Sequence, residues 1–216
     1  METKDVLALL TCVLLVVSGS TYGIKFLRRG NFLLGLEWLI VAFSGTNFLI
    51  YLLTQSHIPY AISYFCDAFS RGFGIPIVTV LGLMAVTHGF RPSAGKDALI
   101  FAITFACTFV MIKADFMVKP LPYFYVIMWA GYTVYLAYFI SRLAMVGEYL
   151  HAFGVTVAAM LGLLVACIYD FYPIPGDDTK AVFMSIALAS WSFMMIQLYY
   201  ALFALQRAKR QAVPAH

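Results

Sequence analysis

The sequence predicts an all-α membrane domain: a bundle of seven transmembrane helices with the N-terminus outside and the C-terminus cytoplasmic. Three observations carry that expectation. Of 216 residues, 63% are hydrophobic and only 11% are charged, whereas a soluble domain carries about a quarter charged residues. The apolar residues gather in blocks long enough to cross a hydrocarbon core, which takes about 20 residues of helix. The basic residues between the blocks are divided unevenly, and that division orients a membrane protein.

The spans are expected at 6–27, 32–53, 59–86, 97–118, 123–143, 150–168 and 181–205, so that residues 1–216 form one membrane domain with no separate soluble part. The first block follows Glu2, Lys4 and Asp5, and its positive charges come after it. A signal peptide has a positive leader and a small-residue cleavage site, so this block is expected to be retained as a span. The fourth is the most strained, because Lys113 and Asp115 fall near its end and would have to snorkel to the interface. In the sixth, Ala158, Gly162 and Ala166 recur at spacing four, as do Ala102 and Ala106 in the fourth. Small residues at that spacing let helix backbones approach closely in lipid.

Orientation follows from lysine and arginine. One side receives Lys25, Arg28, Arg29, Arg91, Lys96, Arg142, Arg207, Lys209 and Arg210; the other receives Lys4, Lys113, Lys119 and Lys180. Nine against four places the first side in the cytoplasm and leaves Asp170, Asp177 and Asp178 in an acidic outer segment. The net charge of +4 is then a topogenic signal and not a nucleic-acid footprint. The implied setting is a bacterial inner membrane or plasma membrane. Tyrosines and tryptophans near the span ends, Trp38, Tyr60, Tyr123, Tyr149, Tyr169 and Tyr172, suit interfacial anchoring.

Several chemistries find no support. Cys12, Cys66, Cys107 and Cys167 fall in four different apolar blocks with no CxxC pair, as buried hydrophobes would. His57, His88, His151 and His216 lack metal or haem-ligand spacing, and the last span contains no lysine to hold retinal. No cofactor is expected. Spans one to three and five to seven run in the same directions, which permits a three-plus-three repeat, but "YGIKFLRR" and "YFISRLAM" share only an aromatic start and a basic end.

The informative stretch is CDAFSRGFGIP, Cys66 to Pro76, inside the third span. Charges within spans are costly and usually face the bundle interior or a water-filled cavity. At about 1.5 Å of rise per residue, Arg71 lies roughly 18 Å from the outer end of its span, and Glu37 roughly 9 Å from the inner end of the second. With a core of about 30 Å the two sit at comparable depth, and Asp67 shares the Arg71 helix face at i−4. A cluster of Glu37, Asp67 and Arg71 is expected. Pro76 deprives the Gly72 carbonyl of its helical donor, so the span should kink or unwind just past Arg71. Ser44 and Asn47 on the second span and Gln197 on the seventh are candidates to line the same interior.

These features lead to a small-solute or ion transporter, with Glu37, Asp67, Arg71, Gly72, Pro76, Ser44, Asn47 and Gln197 as binding or coupling residues. A non-catalytic accessory, sensor or assembly subunit is the alternative, with a membrane-protein partner or a second copy of the chain. A membrane-embedded lipid enzyme is a third reading, with His57, Asp67, Asp170 and Asp177 as its only candidate groups.

Overall fold

The computed structural model describes residues 3–172, 174–177 and 180–211; Glu2, Asp178 and His216, named above, lie outside the described residues. Seven helices follow one another: α1 (Thr3–Arg28), α2 (Phe32–Thr54), α3 (His57–Thr87), α4 (Ala94–Lys113), α5 (Leu121–Met145), α6 (Tyr149–Tyr169) and α7 (Ala181–Gln211). All seven are long and apolar enough to cross a membrane, the architecture of a multi-pass membrane protein. Among the described residues there is no strand. One face of the bundle gathers the start of α1 and the α2–α3, α4–α5 and α6–α7 connections; it is called the N-terminal face below. The opposite face carries the end of α7.

Most helix limits fall within three residues of expectation, and the two departures have local causes. α4 stops at Lys113, where Ala114 turns extended (φ −81°, ψ 121°), and Asp115–Met117 form a separate 3-10 turn. Lys113 and Asp115 therefore sit at and beyond the helix end, and no charge has to be drawn out of the span. α7 continues through the basic segment to Gln211, six residues past the expected limit at 205.

The helices close a ring in the order α7, α1, α2, α3, α5, α6, with α4 packed outside on α3. The α1–α2 crossing is close because glycines line it. A Cβ on Gly19 would lie 2.8 Å from the Trp38 carbonyl oxygen, and one on Gly23 would lie 3.0 Å from that of Gly35. Without a hydrophobic driving force between helices in lipid, such backbone approach is what holds them together. Ala158, Gly162 and Ala166 are buried as expected, with the Trp129 ring seated over Gly162. Ala102 and Ala106 face outward instead. The inward face of α4 is Phe101, Thr104, Thr108 and Met111. Those threonines pack inward because each hydroxyl donates to its own helix, Thr104 to the Ile100 carbonyl (2.7 Å) and Thr108 to that of Thr104 (2.8 Å).

α3 does not unwind. Across Ser70–Thr79 it becomes a π-helix around Pro76, then resumes as an α-helix from Val80. Proline removes a donor from the ladder, and wider rings let the backbone continue without an open break. π segments are uncommon, and they recur at functional sites. This one packs against α2, α4 and α5, and eight of its ten residues are buried. A helix with no lipid-facing backbone at its irregular point satisfies the rule that membranes impose on non-α geometry.

Candidate functional site

The charged cluster forms, with a different third member. Arg71 pairs with Asp67 (Nη1 to Oδ2, 3.7 Å) on its own helix and, through Nη2, with Asp170 at the end of α6. Its guanidinium lies between two aromatic faces, 3.6 Å from the Tyr169 ring centre and 4.0 Å from that of Tyr125. Tyr169 also donates its hydroxyl to Asp67 (3.4 Å). The Arg71 side chain is 7% exposed, against 24% for Asp67 and 25% for Asp170. The cation is therefore enclosed while its carboxylates still reach solvent. Two carboxylates, two ring faces and a phenol hold it in one orientation, the planar recognition that arginine makes and lysine does not.

Glu37 is not in this cluster. The expectation matched depth and overlooked azimuth. α2 packs on the face of α3 that carries Ser63, Ser70 and Gly74, where the Ser44 hydroxyl donates to the Ser63 carbonyl (3.1 Å). Arg71 lies about a quarter turn from that face and Asp67 about half as far on the same side, since each residue of a helix advances by roughly 100°. They look toward α5 and α6. The depth itself also shifts. Arg71 lies level with Tyr125, near the start of α5, and with Tyr169, the last residue of α6. α3 has 31 residues, about 46 Å of helix, so counting from its first residue overstates how far Arg71 lies from the N-terminal face.

Glu37 has an unusual position of its own. It is 0% exposed, and neither carboxylate oxygen has a hydrogen-bond partner. It lies beside Ser70 and against the bare backbone of Gly74, where a Cβ would overlap its carboxylate. Gly74 is thus a socket for Glu37. Gly72, on another side of α3, faces Met111, Phe124 and Tyr125 of α4 and α5. The titratable neighbours of Glu37 are Cys66 on α3 and Tyr132 on α5.

A cavity of about 370 Å³ joins these features. Asp67, Arg71, Tyr169 and Lys180 line it toward the N-terminal face, and Ser44, Ser63 and Ser70 run down one wall. Much of the rest is apolar, from Cys12, Leu15, Val41, Ile75 and Leu188. Two polar atoms on its wall are buried without partners, the Ser70 hydroxyl and the Trp191 indole N–H. Buried polar atoms are normally satisfied by protein or water. Two unpartnered atoms in one cavity, from α3 and from α7, with the Glu37 carboxyl beside Ser70, mark a place suited to a polar guest. A neighbouring cavity, lined by Tyr172, Ile174 and Asp177, shares Tyr169 and Lys180 with the first.

Of the other expected residues, Ser44 lines the cavity and Pro76 sits within the π segment. Asn47 is spent locally, donating to the Phe43 carbonyl (2.9 Å). Gln197 faces His151 and Gly154 on α6, outside the cavity. Sequence reasoning names Asp170 only as an outer loop charge and a candidate group of the lipid-enzyme reading, and Tyr169 only as an interfacial anchor; it pairs neither with Arg71. Their adjacency at the end of a span is the signal that could have done so. Among the described residues no group of histidine, cysteine, aspartate or glutamate is placed to hold a metal ion. Comparisons with protein-family models, with curated proteins and with solved structures find no match for this chain.

Proposed function

We propose that the protein is a small-solute permease of a bacterial inner or plasma membrane, loading its solute in the cavity and coupling it to a proton at Glu37. The observation that carries this reading is the conjunction at the cavity wall. A cavity of about 370 Å³ holds Asp67, Arg71 and Lys180 toward the N-terminal face and two unpartnered polar atoms in its lining, and a sealed carboxyl lies beside one of them. A carboxyl sealed in apolar surroundings with no counter-charge is sensitive to any water, cation or polar solute that reaches it, and ionisable groups so placed within spans mark proton and substrate pathways. On this reading Ser70, between cavity and carboxyl, relays the proton. The π segment supplies the movable element, because its backbone is already out of α register where Glu37 rests. The uneven basic charges orient the cavity mouth outward.

The Arg71 site has the other role. With both carboxylates and both rings engaged, it fastens α3 to α6 and shapes the cavity rim. The test is flux in proteoliposomes with an imposed pH gradient, screened over small polar solutes. Glu37→Gln should abolish proton-coupled uptake while binding persists, because the amide keeps shape and hydrogen-bonding capacity but carries no proton. Ser70→Ala should slow uptake and leave the melting temperature within a few degrees. Wild-type vesicles that move neither solute nor protons, or Glu37→Gln vesicles that retain full coupling, would overturn the proposal.

A further inference from the structure

The opposite end of the bundle holds a second cavity, of about 340 Å³, enclosed by the α1–α2 turn, the α3–α4 connection, the start of α4 and the end of α7. Three arginines line it, Arg29, Arg91 and Arg210, and none has an ion-pair partner among the described residues. Arg29 is held in place, its guanidinium 4.0 Å from the Phe203 ring centre. Asn31 sits in the same wall, capping α2 through Leu34 N–H (3.2 Å) and donating to the Gly82 carbonyl (2.9 Å), so the rim between α2 and α3 is fixed. The fourth charged group is Asp97, only 6% exposed, with one carboxylate oxygen buried and unpartnered.

This composition is specific in a way that a basic surface is not. Three guanidiniums call for an anion with several oxygens, and arginine binds phosphate in planar, bidentate fashion. A lone carboxylate among them would repel a bare phosphate, but it accepts a hydrogen bond from a hydroxyl. We infer that the cavity binds a glycerol-phosphate headgroup, its phosphate on Arg29, Arg91 and Arg210 and a glycerol hydroxyl on Asp97. Basic pockets between helix ends at a membrane surface are where anionic phospholipids seat their headgroups. A water-soluble glycerol phosphate carries the same chemistry. The site is separate from the permease cavity and stands whether or not that reading holds.

Thermal unfolding in detergent tests it, with short-chain phosphatidylglycerol, phosphatidylcholine, phosphatidic acid, glycerol 3-phosphate and inorganic phosphate as probes. Phosphatidylglycerol should raise the melting temperature more than phosphatidylcholine or phosphatidic acid. Removing each of Arg91 and Arg210 as glutamine should weaken its apparent affinity about fivefold, the worth of one basic residue near an anionic surface. Both side chains are exposed, so the variants should fold. Lys96→Gln, at a basic position of the same face outside the cavity, should change little. Asp97→Asn should narrow the preference for phosphatidylglycerol over phosphatidic acid. If glycerol 3-phosphate reproduces the shift with the same variant pattern, the site stands and its ligand is soluble. An equal loss in Lys96→Gln, or no preference for phosphatidylglycerol over phosphatidic acid, would overturn the inference.

Discussion

Gly74→Ala is the sharpest probe of where Glu37 rests. A Cβ at residue 74 would overlap both oxygens and the carboxyl carbon of Glu37, which is fully buried. Forcing extra volume into a packed interior costs about 1–3 kcal/mol, and three overlapping atoms with no route to solvent place this case near the top. Replacing glycine by alanine within a helix returns about 1 kcal/mol, leaving a net loss of about 2 kcal/mol. Gly72→Ala is the matched control two residues away. Its Cβ would meet the flexible end of Met111 at 3.2 Å and the Phe124 ring at 3.4 Å, so the helical gain should roughly cancel the crowding. The assay is reversible denaturant unfolding in micelles on Gly74→Ala, Glu37→Ala and the double variant. Removing the Glu37 side chain should remove the crowding and leave only the helical gain, a coupling of about 3 kcal/mol, where independent sites add to within about 0.5 kcal/mol. Additive single effects, or equal losses at residues 72 and 74, would show that Glu37 does not occupy the Gly74 socket.

Two further outcomes follow from the charges at the N-terminal face. Asp170→Asn should leave Arg71 with Asp67 alone, 3.7 Å away; at a quarter exposure the loss lies between that of a surface pair and a sealed one, about 2 kcal/mol, and an unchanged unfolding midpoint would refute the pairing. Asp177 caps α7, accepting from the Val182 (3.1 Å) and Phe183 (2.8 Å) N–H groups. Burial opposes its charge, but these backbone donors prevail and hold its carboxyl below the usual carboxylate range. Its stabilising contribution is therefore complete above the unfolded value of about 3.9 and is lost as pH falls through the lower folded value. Asp177→Ala should melt below wild type at neutral pH, with the gap closing in acid; a gap constant from pH 7 to pH 2.5 would exclude the cap.

The spans were legible because hydropathy reports one variable, the length of an apolar run, and lipid enforces it. The site was legible only in part because its geometry depends on rotation. Helix rise orders Glu37 and Arg71 along their spans but misjudges depth where a helix is longer than the core, and which way each points depends on how α2 and α3 turn against one another. Pro76 announces an irregularity in Ser70–Thr79, but not that it takes the form of a π segment with its change of phase. Gly74 reads in sequence as flexibility and acts in the fold as empty volume for a neighbour's carboxyl. Asp170 was hidden by position: immediately after a span, its charge is cheap in a loop and equally available to a partner one turn below. Ala102 and Ala106 show the converse error, since small residues permit an interface without requiring one.

Exchanging Glu37 for Asp170 changes what the cluster means. A triad of Glu37, Asp67 and Arg71 would have joined fastening and proton coupling in one set of residues, with one surplus negative charge shared among them. On the proposed function the two are separate. Asp67, Asp170 and Arg71 carry that surplus where the two carboxylates remain partly exposed. Glu37 is left with no counter-charge, and the Ser70 hydroxyl is the one donor beside it. A group without a counter-charge is the one whose state a solute or a water can change, whereas a saturated arginine has no such freedom. On the proposed function, then, variants at Arg71 and Asp170 should be read chiefly in stability and those at Glu37 chiefly in flux. A variant series in which Glu37→Gln and Arg71→Gln lose the same share of both would show that the separation is false.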